Sequence, residues 1–538
     1  MLRITALALL VSLVSLASAA EDLPDWKRAL LPPDGTPLAA KQEFVFSNAS
    51  EPETLDPAIM TGVLEARLAS GLFEGLLTID PRTLEPRPGV AHTWEASADG
   101  LDWTFHLREA RWSDGKPLTA EDFVGSWRRV LTKATASDYA YQLFPVAGAQ
   151  DYFDGRITDF AQVGVAAKDP RTLVVRLRQP CPWFLDICAF HTLMPVPMRL
   201  VSEHGDRWER SGTMVSNGPF RLAEWTPRSR IVLERNPHYW DAAVVKLDRI
   251  TALPIQDNET AFRLYLDGQL HWMPNIPQLK LEEVRRHADY YVATYFGTHF
   301  YRFNCASGPF SGEKGKLVRQ AFWLALDRAQ IANEVLRSGE TPTGALCPPI
   351  AGYTPPQTPL TNRDRARELL AQAGHADAQG LPPIEILFNS DERHKAVAEA
   401  IAEQWRAALK VTVSLRNSEW KSYLADQDAL NFTVCRSSWI GDYGDPNTFY
   451  DMFVTDGGNN RTGWSSTRYD DLLRASQAEI DAAKRQALLA QMEEILADEC
   501  PVMPIAYYVN QGLVRETVGG WHQNIRDHHL WQYVWIEE

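Results

Sequence analysis

Short stretches in which apolar and polar positions alternate recur between longer stretches in which apolar positions have helical spacing. Strict alternation is typical of half-buried β-strands, whereas apolar positions repeated at each helical turn indicate amphipathic helices. Strands are predicted at residues 43–47, 103–108 and 432–435, and a further strand is predicted to begin in 73–77. Helices are predicted at residues 63–72, 364–373, 394–409 and 482–497. Strands and helices that alternate along a chain predict an α/β fold.

One local unit is well marked between residues 98 and 124. The tripeptide Ala-Asp-Gly at 98–100 is a turn signal in front of the alternating run at 103–108. Thr119 then stands where a helix begins, and Asp122 follows it at the spacing of a capping box. A β-hairpin followed by a capped helix is expected here.

The densest group of chemically useful side chains follows the run at 432–435, which we expect to be a strand that feeds an irregular loop at 436–449. A buried charge without a partner is costly, so a ligand that carries an ammonium and a carboxylate needs opposite charges in its site. Asp442 can pair with an ammonium, Arg436 can pair with a carboxylate, and Trp439 offers an aromatic wall that accepts many shapes. The loop supplies Arg436, Trp439, Gly441, Asp442 and Tyr443. An ordinary turn built on Gly-Asp-Pro is the alternative.

The N-terminus has the three parts of a secretory signal peptide. Arg3 precedes an apolar core at 6–16 and a run of small residues, and cleavage is expected after Ala19 or Ala20. The core is too short to span a bilayer, and no cysteine stands at the cleavage site to carry a lipid. We therefore expect an exported protein without a lipid anchor, and the periplasm is the expected compartment.

Composition excludes some classes of partner. The chain has 538 residues, a net charge of −15, 45% hydrophobic residues and 23% charged residues. Such an acidic protein is not expected to bind nucleic acid, and its length implies several lobes rather than one core. Eighteen tryptophans are more than a core of this size needs. Some are expected to line a ligand cleft, although core packing is the ordinary role of any one of them.

No motif points to a metal, a cofactor or a catalytic centre. The six cysteines show no CxxC or Cys/His spacing of a zinc site, and their pairing cannot be deduced from spacing. Asp442 and Asp445 raise the alternative of a secreted hydrolase with an acid/base pair and tryptophan platforms for sugars. The chain contains neither a G-x-S-x-G nucleophile elbow nor an H-E-x-x-H motif. A binding protein without metal, cofactor or catalytic residues is therefore expected.

Several motifs in order along the chain resemble periplasmic oligopeptide- and dipeptide-binding proteins, the extracytoplasmic receptors of ABC importers. Each motif alone is weak, but together they cover essentially the whole mature chain. The motifs are F-E-G-L-L at 73–77, W-T-F-H-L-R at 103–108, R-W-S-D-G-K-P-L-T-A-E-D-F-V at 111–124, S-N-G-P-F at 216–220, L-E-R-N-P-H-Y-W at 233–240, V-R-Q-A-F-W-L-A-L-D-R at 318–328, N-S-E-W-K at 417–421 and Y-Y-V-N at 507–510.

The resemblance implies an α/β fold of the type II periplasmic-binding-protein kind, with two lobes, an extra third domain and a hinge between the lobes. The implied partners are short peptides and the permease subunits of an ABC importer at the inner membrane, and a monomer is expected. After the signal peptide at 1–20, the expected domains are a discontinuous domain I at 21–73, 196–296 and 508–538, domain II at 74–195 and domain III at 297–507.

The same resemblance implies roles for individual residues. Asp442 matches the aspartate that pairs with the α-ammonium of the peptide. Arg436 and His394 match positions that receive the peptide carboxylate, directly or through water. The other expected substrate-binding residues are the indoles Trp439 and Trp420, the loop glycine Gly441, and the cleft-lining residues Val63, Tyr139 and Tyr508. For the last three, simple core packing is the alternative.

The chain departs from the family pattern at several cleft positions. Gln427 replaces a basic residue that contributes to carboxylate binding in some relatives. Thr61 and Leu336 replace an acidic and a basic residue that face each other in some relatives, so both charges are absent together. Gly297 and Ile440 stand where some relatives have a disulfide. The carboxylate end of a peptide is therefore expected to be held less rigidly than the amino end.

Two further expectations concern the ligand. A receptor for a cell-wall (murein) peptide or another small solute is the alternative within the binding class, since this fold also carries metal chelates, haem and sugars. The pair Asp442 and Arg436 favours a zwitterionic chain over those. Histidine has an ordinary pKa near about 6.5, so protonation of His394 is expected to strengthen the binding of a free carboxylate as pH falls from about 7.5 to about 6.

Overall fold

The computed structural model describes residues 23–277, 280–358 and 360–538, with the side chains of residues 392, 420 and 421 excepted. The predicted signal peptide and its cleavage site lie outside these ranges. None of the helices within them combines the length and the hydropathy that crossing a membrane requires.

The described strands, in chain order, are β1 (Glu43–Ser47), β2 (Leu77–Ile79), β3 (Pro86–Pro88), β4 (Ala91–Ala96), β5 (Asp102–Leu107), β6 (Ala110–Arg111), β7 (Pro117–Leu118), β8 (Val165–Asp169), β9 (Thr172–Arg176), β10 (Phe220–Thr226), β11 (Arg230–Arg235), β12 (Arg249–Leu253), β13 (Trp272–Met273), β14 (Tyr290–Phe303), β15 (Thr341–Pro342), β16 (Ile384–Asn389), β17 (Val413–Ser418), β18 (Val434–Ile440), β19 (Val502–Val514), β20 (Val518–Gly519) and β21 (Trp535–Ile536).

The described α-helices are α1 (Asp25–Arg28), α2 (Val63–Leu72), α3 (Ala120–Val130), α4 (Ala149–Phe153), α5 (Phe184–Ile187), α6 (Met198–His204), α7 (Asn258–Leu266), α8 (Leu281–Val284), α9 (Gly312–Leu324), α10 (Arg328–Gln330), α11 (Arg363–Gln372), α12 (Glu392–Leu409), α13 (Trp420–Asp428), α14 (Asn447–Tyr450), α15 (Thr467–Ala478) and α16 (Ala482–Glu499).

An eleven-stranded mixed sheet runs through the molecule in the order β10-β11-β12-β1-β13-β19-β14-β18-β16-β17, with β15 added on β19. The long antiparallel strands β14 and β19 join its two halves. Their pairing breaks between Thr294 and Thr298 of β14 and resumes at Tyr507 of β19. Extra residues in one strand bend it and increase its twist. The sheet therefore has a built-in bend where its two halves meet.

A separate four-stranded antiparallel sheet has the order β4-β5-β9-β8. The β4–β5 hairpin turns at residues 98–100, and Ser97 Oγ donates to Asp99 at a distance of 2.5 Å. Helix α3 follows, with Thr119 and Asp122 in a complete capping box. The predicted unit of a hairpin and a capped helix is confirmed.

Each part of this architecture has its own hydrophobic core. One core packs on the four-stranded sheet and includes Phe105 and Trp127. A second surrounds β1 and β10–β12 and includes Phe44 and Leu233, and a third packs helices on β16–β18 around Trp405. Ten described tryptophans are buried: Trp112, Trp127, Trp183, Trp208, Trp272, Trp323, Trp405, Trp464, Trp531 and Trp535. The surplus of tryptophan therefore goes mainly into cores.

The sequence pattern located most elements but was wrong in one place. The predicted strand 43–47 and helix 63–72 have the predicted bounds. The strand expected to begin in 73–77 begins at Leu77, and Glu74 before it is turned into the core, where it accepts hydrogen bonds from Tyr239 and Trp240. The stretch expected to be a loop after Cys435 remains a strand as far as Ile440, because β14 pairs with β18 along its whole length.

The predicted domain boundaries at 296/297 and 507/508 fall at the bend between β14 and β19. Each sheet half packs a different hydrophobic core. The boundaries themselves stay a prediction.

Candidate functional site

A cavity of about 350 Å³ opens between segments that are far apart in the chain. Its wall comes from the start of α2, from the segments near residues 139 and 190, from the bend of β14 at 295–296, from the end of β18, and from residues 526–531. All three predicted domains thus contribute to it. This volume is typical of a small-molecule site.

Asp442 stands at the end of β18, where the chain turns into this cavity. The N–H of Gly441 donates to the Phe296 carbonyl, and the N–H of Asp442 donates to Thr448 Oγ1 at 3.2 Å, so the backbone is held on both sides. A side chain at position 441 would run into the Phe296 ring, which explains the glycine. The carboxylate is therefore presented from a fixed backbone.

The carboxylate of Asp442 accepts a hydrogen bond of 2.5 Å from Tyr141 Oη. Among the described residues, no lysine, arginine or histidine forms an ion pair with it; Arg526 donates only to its backbone carbonyl, at 3.3 Å. Burial raises the pKa of Asp442 to about 6, although Tyr141 and the charge of Arg526 oppose the shift. The cavity thus contains a carboxylate that a cationic ligand would stabilise.

The other charges at the cavity are already paired with one another. Arg67 lies 3.2 Å from Asp527, and His529 Nε2 lies 2.9 Å from the other oxygen of that carboxylate. Arg526 donates to Asp186 at 2.8 Å. Burial also lowers the pKa of two cavity histidines, His191 to about 4 and His528 to about 3, so both are neutral at pH 7.

Arg436 forms the centre of a second polar group on the same strand. Its side chain is 6% exposed and donates to Tyr508 Oη at 2.8 Å and to Asn389 Oδ1 at 3.4 Å. Its Nε has no hydrogen-bond partner, and within the described ranges no carboxylate forms an ion pair with it. A buried guanidinium that has an unused N–H donor can bind an anionic group of a ligand.

Two histidines flank Arg436. His299 Nδ1 lies 3.4 Å from Tyr508 Oη, and the ring of His299 lies 6.0 Å from that of His394. His299 is 2% exposed, and its Nε2 has no partner. Burial, reinforced by the charge of Arg436, lowers the pKa of His299 well below its ordinary value and that of His394 to about 4. Both rings are therefore neutral donors or acceptors near pH 7.

This result argues against the expected pH effect at His394. With a pKa of about 4, the ring of the empty site does not gain a proton between pH 7.5 and pH 6. Protonation would place a second positive charge beside Arg436, in a site that is already desolvated. The carboxylate end is therefore not expected to bind more strongly over that interval on account of His394.

One edge of β18 is open toward the cleft. β14 pairs with all of β18, whereas β16 pairs only with its first two residues. The carbonyl of Arg436 accepts a hydrogen bond from Tyr423, so its backbone groups face away from β14. Because this direction alternates along a strand, the backbone groups of Ser438 and Ile440 face the same side. Among the described strands, none pairs with that edge after Cys435, so it can receive another extended chain.

The structure divides the expected site residues into groups. Val63, Tyr139, Gly441 and Asp442 line the cavity, and Arg436, His394 and Tyr508 belong to the second polar group. Trp439 packs partly buried against the core around Phe296, with its indole N–H donated to Thr448. Helix α13 begins at Trp420, whose side chain lies outside the described part of the structure.

The departures from the family pattern have simple local consequences. Gln427 Nε2 lies 3.5 Å from the Arg436 carbonyl and is buried. Thr61 lines the cavity, whereas Leu336 is buried in the hydrophobic core near β19 and does not line it. Ile440 covers Gly297: a Cβ on this glycine would lie 3.0 Å from Ile440 Cγ1. Apolar packing thus occupies the place of the disulfide of some relatives.

Sequence reasoning missed several site residues. The segment at 526–529 reads Arg-Asp-His-His, and this concentration of titratable groups was a usable signal. His299 lies in β14 directly before Phe300 and Tyr301, in a strand rich in aromatic residues that also fits ordinary core packing. Tyr141 and His191 gave no local signal, because only the tertiary fold brings them to the cavity.

The sequence is similar to known solute-binding proteins over most of its length. A family model described as bacterial extracellular solute-binding proteins, family 5 Middle, matches residues 85–461. The periplasmic oligopeptide-binding protein OppA of Salmonella typhimurium is 36% identical over 502 residues, which cover 91% of each chain.

Solved structures resemble the whole fold. The Escherichia coli murein tripeptide-binding protein MppA aligns with a TM-score of 0.81 at 33% identity, covering 94% of this chain and all of its own. Haemophilus influenzae OppA, solved in complex with RPPGFSPFR, aligns with a TM-score of 0.78 at 35% identity, covering 93% of this chain and all of its own.

Proposed function

This chain belongs to the bacterial extracellular solute-binding proteins of family 5, and from that membership we propose that it captures short peptides in the cleft and delivers them to the permease of an ABC importer. The observation that carries the proposal is the half-buried carboxylate of Asp442, which has no cationic partner among the described residues and stands at the end of an open strand edge. A peptide supplies both an ammonium for the carboxylate and a backbone for the edge.

The spacing of the two polar groups is suited to a short extended ligand. Asp442 and Arg436 are six positions apart, which corresponds to about 20 Å between their Cα atoms along an extended strand. A peptide paired with the open edge would place its ammonium at Asp442 and its backbone along Ser438 and Ile440. Its carboxylate would then approach Arg436, His299 and His394. A fully extended peptide needs about six residues to span this Cα–Cα distance, and fewer where the Asp442 and Arg436 side chains reach toward it.

The bend between β14 and β19 supports a hinge. Only this pair of long strands carries the main sheet from one half to the other in the described part of the chain. Across the cleft, Asp186 accepts hydrogen bonds from Arg526 and from the N–H of Gly444, and Trp183 stacks on Tyr443 at 5.5 Å. Closure of the lobes over a ligand would make and break these contacts while the bend absorbs the movement.

The proposed family role also implies a compartment, an oligomeric state and a lack of hydrolytic activity. Relatives named as periplasmic proteins and the expected signal peptide support export to the periplasm. We expect a monomer that binds without hydrolysing its ligand. Of the two carboxylates that suggested a hydrolase, Asp445 forms a bidentate ion pair with Arg485 at 2.6 and 2.7 Å.

Calorimetry of the mature protein against defined peptides tests the function. Peptides of two to six residues are expected to bind, and mass spectrometry of the protein as purified under native conditions should show peptide masses. A murein tripeptide belongs in the panel, because MppA is named for that ligand. A sugar and a metal chelate serve as controls. Binding of either control in the absence of any peptide binding would refute the proposal.

A further inference from the structure

Two large apolar side chains are unusually exposed where they face the cavity. Val63 at the start of α2 and Ile440 at the end of β18 are each 43% exposed, and both line the cavity beside Asp442. They come from different segments and stand on different sides of the same space. Exposed apolar groups in a concave site are suited to apolar contact with a ligand.

Ile440 is held in this position by the glycine beneath it. A Cβ on Gly297 would lie 3.0 Å from Ile440 Cγ1, from the Trp439 carbonyl and from Tyr508 Cδ2. The absence of a side chain at 297 thus creates the space in which Ile440 packs. A β-branched side chain has few rotamers, so this packing directs the remaining apolar surface of Ile440 toward the cavity.

Apart from the carboxylate of Asp442, the described residues that line the cavity offer no unpaired charge that could receive a charged ligand side chain. Arg67 is paired with Asp527, and Arg526 is paired with Asp186. His191 and His528 are neutral at pH 7. Thr61, the remaining polar residue at the start of α2, carries no charge. A second charged group on the ligand would be desolvated here without compensation.

We propose that Val63 and Ile440 make this cavity select peptides whose first residue is apolar. The inference rests on the proposed function, because Asp442 must hold the α-ammonium for the first side chain to lie in the cavity. The cavity has the volume of roughly a dozen water molecules. An apolar side chain that displaces water held by apolar walls gains affinity, whereas a charged one loses its hydration.

Matched tripeptides test the selection directly. Calorimetry would compare Leu-Ala-Ala, Phe-Ala-Ala, Lys-Ala-Ala and Asp-Ala-Ala, with Ala-Ala-Leu and Ala-Ala-Lys as position controls. Leucine or phenylalanine in the first position is expected to bind at least tenfold more tightly than lysine or aspartate. The two position controls should differ from each other by much less.

Two substitutions identify the residues responsible. Val63→Thr replaces a methyl group with a hydroxyl at nearly constant shape, and Ile440→Thr replaces an ethyl branch with a hydroxyl. Each should lower the preference for Leu-Ala-Ala over Lys-Ala-Ala by at least threefold. Ile480→Thr is the matched control, because Ile480 is 75% exposed in the connection between α15 and α16 and lies outside the cavity lining. It should leave the preference unchanged. Melting curves of all three variants would establish that they are folded.

The results of these experiments distinguish the selection for an apolar first residue from peptide binding itself. Equal affinity of the wild type for all four first residues would overturn the selection and leave peptide binding intact. An unchanged preference in both threonine variants would remove the role of Val63 and Ile440. Failure of every peptide to bind would overturn the proposed function, and the selection with it.

Discussion

At the scale of single residues, the site is defined by charges that have no oppositely charged partner among the described residues. Asp442 and Arg436 are the outstanding cases, since most of the charges around them are paired internally. A buried ion without compensation costs stability. Such residues are therefore expected to be tuned for a ligand rather than for the fold.

Asp442→Asn should weaken peptides with a free amino terminus by about 2–4 kcal/mol, the scale for losing one partner of a buried charge pair. Acetylated peptides should bind the wild type poorly and lose little more in the variant. Calorimetry measures both, with the exposed Asp206→Asn as control. Because burial raises the pKa of Asp442, the empty variant should melt no lower than wild type at pH 7. Equal affinity of the wild type for free and acetylated peptides would remove Asp442 from this role.

Arg436→Gln should weaken free-acid peptides by about 1.5–3 kcal/mol, the scale of hydrogen bonds to charged groups. Amidated peptides should be nearly unaffected. In the wild type, amidating the peptide should lower its affinity less than acetylating it. Among the described residues of this polar group, Arg436 is the single cation without an acidic partner, because nearby Arg393 is paired with Glu340. The carboxylate of the peptide therefore has few cations to bind. The exposed Arg468→Gln is the control. A larger loss from amidation would make the carboxylate end the main anchor.

At the scale of elements, the strands β14 and β18 position the site, and local sequence reports them only in part. Long-range pairing with β14 extends β18 through Arg436 and Trp439, which the local pattern assigned to a loop. The capping box at Thr119 was predictable because its partners are neighbours in sequence. The contact of Tyr141 with Asp442 joins residues 301 positions apart, so no local pattern could reveal it.

Local sequence also could not report how individual site residues are buried in the folded chain. The family resemblance suggested the roles of Asp442 and Arg436 position by position, and these roles stay predictions. It could not show that Leu336 is buried in the hydrophobic core or that burial would lower the pKa of His394. Burial and desolvation depend on the packing of distant segments.

Gly297→Ala tests the packing of these two strands. The added Cβ meets Ile440, Tyr508 and the Trp439 carbonyl at 3.0 Å each, and overpacking of this kind should lower the free energy of unfolding by about 1–3 kcal/mol. Ile440→Ala in the same chain should recover part of the loss, since it removes one of the three contacts. Urea unfolding measures each variant, with Gly458→Ala as control because a Cβ there meets open space. An unchanged midpoint for Gly297→Ala would contradict the close packing.

At the scale of the whole molecule, a few contacts join segments from different sides of the cleft. Asp186 is the clearest of them, because it accepts hydrogen bonds from Arg526 and from Gly444 on different sides of the cleft. Residues of this kind act on the equilibrium between open and closed forms. They therefore change affinity without changing selectivity.

Asp186→Asn should weaken all bound peptides by a similar factor, whatever their termini and side chains. The reason is that the substitution removes a charge-assisted contact between segments that flank the cleft, while Asp442 and Arg436 are not substituted. Calorimetry with free, acetylated and amidated versions of one peptide measures this. Asp471→Asn, on an exposed helix face, is the control. A loss restricted to one type of terminus would place Asp186 in the binding site itself.

The pKa of about 6 at Asp442 also makes ligand capture an acid–base reaction. At pH 6 the carboxylate of the empty cavity is protonated in about half of the molecules, and an arriving ammonium requires the ionised form, so binding should release about half a proton per peptide. At pH 7 the release from Asp442 should fall to about a tenth of a proton. The binding heat measured at pH 6 should therefore change with the ionisation enthalpy of the buffer. The affinity for the peptide should decline as the pH falls below about 6. Asp442→Asn should remove both effects, because no ionisable group then remains at the ammonium position.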